Sequence, residues 1–209
     1  GTGNVITGST GLDTITITGG TNNQITSGTD GMNITVKGVV NSTNNITTGA
    51  SGLDTINISV GTNIIYGGIG AVAIDISGGA TTVNGAAGKA TISLSGGTNT
   101  ITGGAGANVV TVTNGSNTIA TGTGTDSYTL SGGTNVITGD TTTADSFTIS
   151  AGTNTITTGT DTLSITGGIN TVTGTGSNII SLAGGTNIIN ASTVNPDTIT
   201  LSAGTNAVY

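Results

Sequence analysis

The sequence predicts an all-β protein, a parallel two-sided β-solenoid of about 11 coils of roughly 18 residues, built as a single domain over residues 1–209. Three observations predict it. Apolar and polar residues alternate in short runs, glycine separates the runs, and two kinds of run recur in tandem along the chain.

The first run, called A, reads roughly G-T-N-x-I-T. Its aligned asparagines are Asn4, Asn23, Asn44, Asn63, Asn99, Asn117, Asn135, Asn154, Asn170, Asn187 and Asn206, with Thr81 as the exception. Most successive copies are 18 or 19 residues apart, with local values of 21, 16 and 17. The second run, B, reads D-x-I-x-L/I-S. It appears as "DTITIT" at 13–18, "DTINIS" at 54–59, "DSYTLS" at 126–131, "DSFTIS" at 145–150 and "DTITLS" at 197–202. Less perfect copies such as "ATISLS" at 90–95 fill the intervals.

Each run is too short for a helix. Within B, Ile15 and Ile17 share one side and Thr14, Thr16 and Thr18 the other, which is the two-residue period of a strand. Lone strands of this length do not persist in water, so each coil must lay its two strands on those of the coil before. At a strand spacing of ~4.8 Å the stack extends about 50 Å. The 39 glycines serve the turns and close approaches at both edges. The interior rows expected on face B are Ile92 with Leu94, Val110 with Val112, Tyr128 with Leu130 and Phe147 with Ile149. Face A adds a thinner row through Ile101, Ile119, Ile137, Ile156 and Val172. So slender a coil has little room for rings, in keeping with three tyrosines, one phenylalanine and no tryptophan.

Asn99 has the side-chain parity of Ile101 and is expected to point inward at the mouth of the turn. Two readings of this row stand. In one, the amides of successive coils hydrogen-bond up the stack as a structural ladder. In the other, the amide oxygens ligate a cation or a sugar; neutral amides are weak ligands for hard cations.

Composition excludes several classes. Nine aspartates against Lys37 and Lys89 give a net charge of −7, which disfavours nucleic acid. No apolar run is long enough for a transmembrane segment, and no polybasic stretch suits an anionic membrane. Without histidine, cysteine or glutamate, and with two basic residues in all, an enzyme is not expected: serine or threonine alone is a poor nucleophile without a base. The lack of cysteine suits an extracellular or cell-surface material exposed to oxidation.

The stretch "GTGTDSYTL" at 122–130 carries G-x-G-x-D followed by alternate aromatic and aliphatic residues. It resembles the glycine- and aspartate-rich nonapeptide repeats of secreted calcium-binding β-rolls, two of which make one 18-residue coil. The resemblance implies a β-roll-like coil and calcium, and it points to a metal site at Asp126, Asp145 and Asp161. This chain departs from that pattern in placing asparagine along the A edge. The B edge carries Asp13, Asp54, Asp126, Asp145, Asp161 and Asp197, and is interrupted by Met32, Val72, Ala90, Asn108 and Asn178. The competing reading makes the aspartates turn-formers that accept local amide hydrogens, with no cofactor required. Outward T-x-T rows, as in "TITIT" at 14–18, also resemble the faces of ice-binding solenoids. Face A breaks that regularity at Tyr66, Asn84, Ala120 and Asn190.

Sequons at Asn33, Asn41, Asn45, Asn57, Asn114 and Asn190 admit glycan modification, as do the many hydroxyls. The sequence both opens and closes on an A unit, without a cap of different composition at either end. Repeat arrays need caps or partners at their ends. The expected function is therefore an extracellular structural repeat protein forming a filament, stalk or surface-layer-like assembly, a homo-oligomer or fibre joined through termini and lateral faces. A calcium-stabilised adhesin module and an ice-binding solenoid are the alternatives.

Overall fold

The computed structural model describes residues 2–38 and 40–209. Nineteen strands form one continuous parallel system, and the described residues contain no helix. The chain is a β-solenoid of about 11 turns with about 18 residues per turn.

Each strand pairs with the equivalent strands one coil back and one coil on. On face B, the strand Ala90–Leu94 lies between Ala71–Ile76 and Val109–Val112, with Ile92 opposite Ile74 and Val110. On face A, the strand Thr98–Thr102 lies between Ala80–Asn84 and Ser116–Ala120, with Asn99 opposite Thr81 and Asn117. In several coils both halves belong to one long strand, as in Ser127–Thr138 and Ser146–Thr158. Their pairing shifts register at Ser131, where the strand bends from face B to face A.

Glycine makes that bend possible. Gly97 has φ +83°, and a Cβ there would lie 2.6 Å from the Gly79 carbonyl oxygen of the coil beneath. A left-handed backbone and a touching neighbour together leave no room for a side chain. At the opposite edge, a Cβ on Gly104 would collide with the Ala86 carbonyl oxygen.

The core is three apolar rows, two from face B and one from face A. Ile92, Leu94, Val110, Val112, Leu130 and Ile149 are buried from face B, and Ile101, Ile119, Ile137, Ile156 and Val172 from face A. Tyr128 and Phe147 sit in the same row in adjacent coils, their rings stacked 4.9 Å apart and 13° from parallel. The irregular spacings are absorbed in the turns. Asn23 still faces Asn44 across a 21-residue coil, and Asn154 still faces Asn170 across one of 16.

Candidate functional site

Two columns of polar side chains run inside the stack, one along each edge. The first is the asparagine row. Its members from Asn23 to Asn187 are buried, while Asn4 and Asn206 are more open in the end coils. Asn4 Nδ2 donates to Asn23 Oδ1 at 2.6 Å, Asn23 to Asn44 at 2.8 Å and Asn44 to Asn63 at 2.7 Å. Beyond Thr81 the same bond links Asn99, Asn117, Asn135, Asn154, Asn170, Asn187 and Asn206, at 2.7–2.9 Å. All run in one sense, Nδ2 of one coil to Oδ1 of the next.

The second amide hydrogen serves the turn. Asn99, Asn117, Asn135, Asn154, Asn170 and Asn187 each donate to the carbonyl three residues earlier, at 2.9–3.2 Å. Each buried amide thus ties its own turn and its neighbour coil at once, satisfying groups that would be costly to bury alone. Thr81 breaks the column. Its hydroxyl lies 3.5 Å from Asn63 Nδ2, and Asn99 Oδ1 is buried with no partner.

The second column follows the B edge. Here the side-chain oxygen of one coil accepts the backbone N–H of the column residue in the preceding coil. Ala90 N–H donates to Asn108 Oδ1, Asn108 to Asp126, Asp126 to Asp145, Asp145 to Asp161, Asp161 to Asn178 and Asn178 to Asp197, at 2.6–3.0 Å. The second oxygen closes the local turn. Asp126 Oδ2 accepts Gly122 N–H at 3.2 Å, Asp161 accepts Gly159 at 2.9 Å and Asp197 accepts Ser192 at 2.8 Å. Asp13 does the same with Ser9 and Asp54 with Gly49. Met32, Val72 and Ala90 occupy the same buried column with apolar side chains.

The structure therefore brings Asp126, Asp145 and Asp161 into consecutive coils of one buried column. Their chemistry is unequal. Both oxygens of Asp126 and of Asp161 are bonded, and Tyr128 Oη adds a further donor to Asp126 Oδ2 at 3.2 Å. Asp145 Oδ2 is buried without a partner. The difference lies in the turn: Asp140 N–H, the counterpart of the Gly122 and Gly159 N–H groups, donates to Thr121 Oγ1 at 2.8 Å instead, and Phe147 in the place of Tyr128 adds no hydroxyl. Burial, reinforced by the neighbouring Asp126 and Asp161 carboxylates, pushes the Asp145 carboxyl up to about 7. Asp161 is also raised by burial, and the Tyr128 phenol is raised by burial and by Asp126 and Asp145.

These oxygens do not fit calcium as they stand. A calcium ion takes 6–8 oxygen ligands, whereas here N–H donors point at the carboxylates and only one oxygen is uncommitted. Among the described residues, no group of three or more histidine, cysteine, aspartate or glutamate side chains is placed to hold a metal.

Outside the columns, the outward rows carry hydroxyls. Thr98, Thr100 and Thr102 on face A are exposed, while Ala120 and Asn190, which interrupt those rows, are half-buried. Among the sequons, Asn41, Asn45, Asn57 and Asn114 are exposed and Asn33 and Asn190 are half-buried. No helix among the described residues is long and apolar enough to cross a membrane. No family model, curated protein or solved structure matches the chain.

Proposed function

We propose that this chain is an extracellular or cell-surface structural element, one that builds a filament, stalk or surface-layer-like assembly by stacking coil on coil and needs no cofactor. The observation that carries this reading is the asparagine column. Its bonds run in one direction, and each coil offers the next the same acceptor and the same donor. A coil laid on Asn206 meets one amide hydrogen not used by Ala203, and a coil laid beneath Asn4 meets the side-chain oxygen Oδ1 of that residue.

The apolar rows repeat the pattern. Leu182 and Ile189 are wholly covered, but their equivalents Leu201 and Val208 are 52% and 42% exposed. Another coil of the same kind, from further repeats or another copy, covers them in the register used throughout. In this reading the buried carboxylates are structural, accepting backbone N–H groups between coils and within the turns.

Electron micrographs of the purified chain test it. Rods longer than the ~50 Å of one stack, lengthening with concentration, are expected. Separate particles of one stack length at every concentration would defeat it.

A further inference from the structure

The two faces differ in charge. The eleven charged side chains, nine acidic and two basic, all lie off face A. Asp13, Asp54, Asp126, Asp145, Asp161 and Asp197 belong to the B-edge column, and Asp30 and Asp140 to turns at that edge. Asp75 projects from face B, and Lys37 and Lys89 flank its strands. Face A presents threonine in register, as in Thr98, Thr100 and Thr102, with exposed Val136, Ile169 and Ile188 set among the hydroxyls.

We propose that two copies of this chain pair through face A. The inference rests on the structural reading above and names the lateral contact of that assembly. Approach through the B edge sets the turn carboxylates Asp30 and Asp140 against their counterparts, and approach through face B brings in Asp75, Lys37 and Lys89, whereas face A meets face A with no charged side chain between them. The area suffices. Roughly twelve rungs at ~4.8 Å, each about five residues of ~3.4 Å, offer about 900 Å² per copy. A stable interface buries about 800 Å² per partner. Threonine methyls and the scattered Val136, Ile169 and Ile188 supply side chains that interdigitate between two regular sheets, and the hydroxyls pair across them.

Substitutions on the two faces test the pairing. In the chain carrying Thr118→Lys and Thr155→Lys, sedimentation is expected to give half the mass per unit length of the unsubstituted protein, and micrographs rods of half the width. Thr111→Lys with Thr129→Lys, the face B counterpart, leaves both unchanged. Length reports stacking along the axis and width reports face A, so either can fail alone. Rods of single width in the unsubstituted protein, or face A variants that keep the double width, would overturn the proposal. A milder pair guards against misfolding. The chain has no cysteine, so Thr118→Cys and Thr129→Cys each place one thiol. Maleimide labelling at Thr118→Cys slows at least about tenfold as concentration is raised through the pairing range, while labelling at Thr129→Cys does not. Equal, concentration-independent rates would also overturn it.

Discussion

Thr81 is the one interior position where the asparagine column fails, and Thr81→Asn should repair it. Asn63 Nδ2 reaches the Thr81 hydroxyl at 3.5 Å, against 2.6–2.9 Å for the asparagine pairs, and Asn99 Oδ1 is left buried and bare. An asparagine at 81 in the rotamer of its neighbours supplies an acceptor to Asn63 and a donor to Asn99. Relieving a buried unsatisfied acceptor is worth about 1–3 kcal/mol. Exchanging threonine for asparagine in a strand gives back up to ~1 kcal/mol. The expected net gain is about 1–2 kcal/mol, which for a domain of this size raises Tm by roughly 2–8 °C. Urea denaturation and thermal melting followed by circular dichroism measure it, with Thr100→Asn as the outward control that gains nothing. A Thr81→Asn stack no more stable than the parent would refute the reasoning, because the column would then be ornament to the apolar rows.

Three further outcomes follow from the same geometry. Asp145 holds its proton up to about pH 7 in the folded stack, against the ordinary 3.8 of an aspartate. Its contribution is therefore full below pH 4 and is lost as pH rises to about 7, at on the order of 1.4 kcal/mol per pH unit. Asp145→Asn should flatten that slope of unfolding free energy by about one proton, as the native Asn108 and Asn178 show the column accepts an amide; an unchanged slope would remove Asp145 as its source. Millimolar calcium or a chelator should leave Tm unmoved, since the carboxylates are held by N–H donors, and a clear calcium-dependent rise would restore the metal reading. Gly97→Ala should cost at least about 2 kcal/mol, joining left-handed strain to a collision with Gly79, while Ser95→Ala at the same exposed turn changes stability by less than ~0.5 kcal/mol.

Much of the fold was legible because one physical constraint repeats. Strand parity placed Ile92, Leu94 and Ile101 inside, and the phase of Asn99 with Ile101 placed its amide inward. The second column was harder to read. Sequence shows Met32, Val72, Ala90 and Asn108 as interruptions of an aspartate row, yet all four fill one buried line. The position must only be filled, and the neighbouring N–H finds another acceptor where the occupant is apolar. Val72 N–H, lying below Ala90, bonds the Lys89 carbonyl at 3.0 Å, whereas Ala90 N–H, lying below Asn108, uses the side chain. The choice follows the occupant of the next coil, since Asn108 offers an oxygen and Ala90 offers none. The bare oxygen of Asp145 is equally invisible in the motif, since it arises where the turn N–H of Asp140 bonds Thr121 rather than the column carboxylate.

Side-chain amide exchange tests most directly whether the buried asparagine column binds coil to coil. In a ¹⁵N-resolved spectrum, the Nδ2 hydrogens of Asn117, Asn135, Asn154 and Asn170 should persist in deuterium oxide at least ~100-fold longer than those of exposed Asn57 and Asn114. Exchange of both groups at one solvent-limited rate would contradict it.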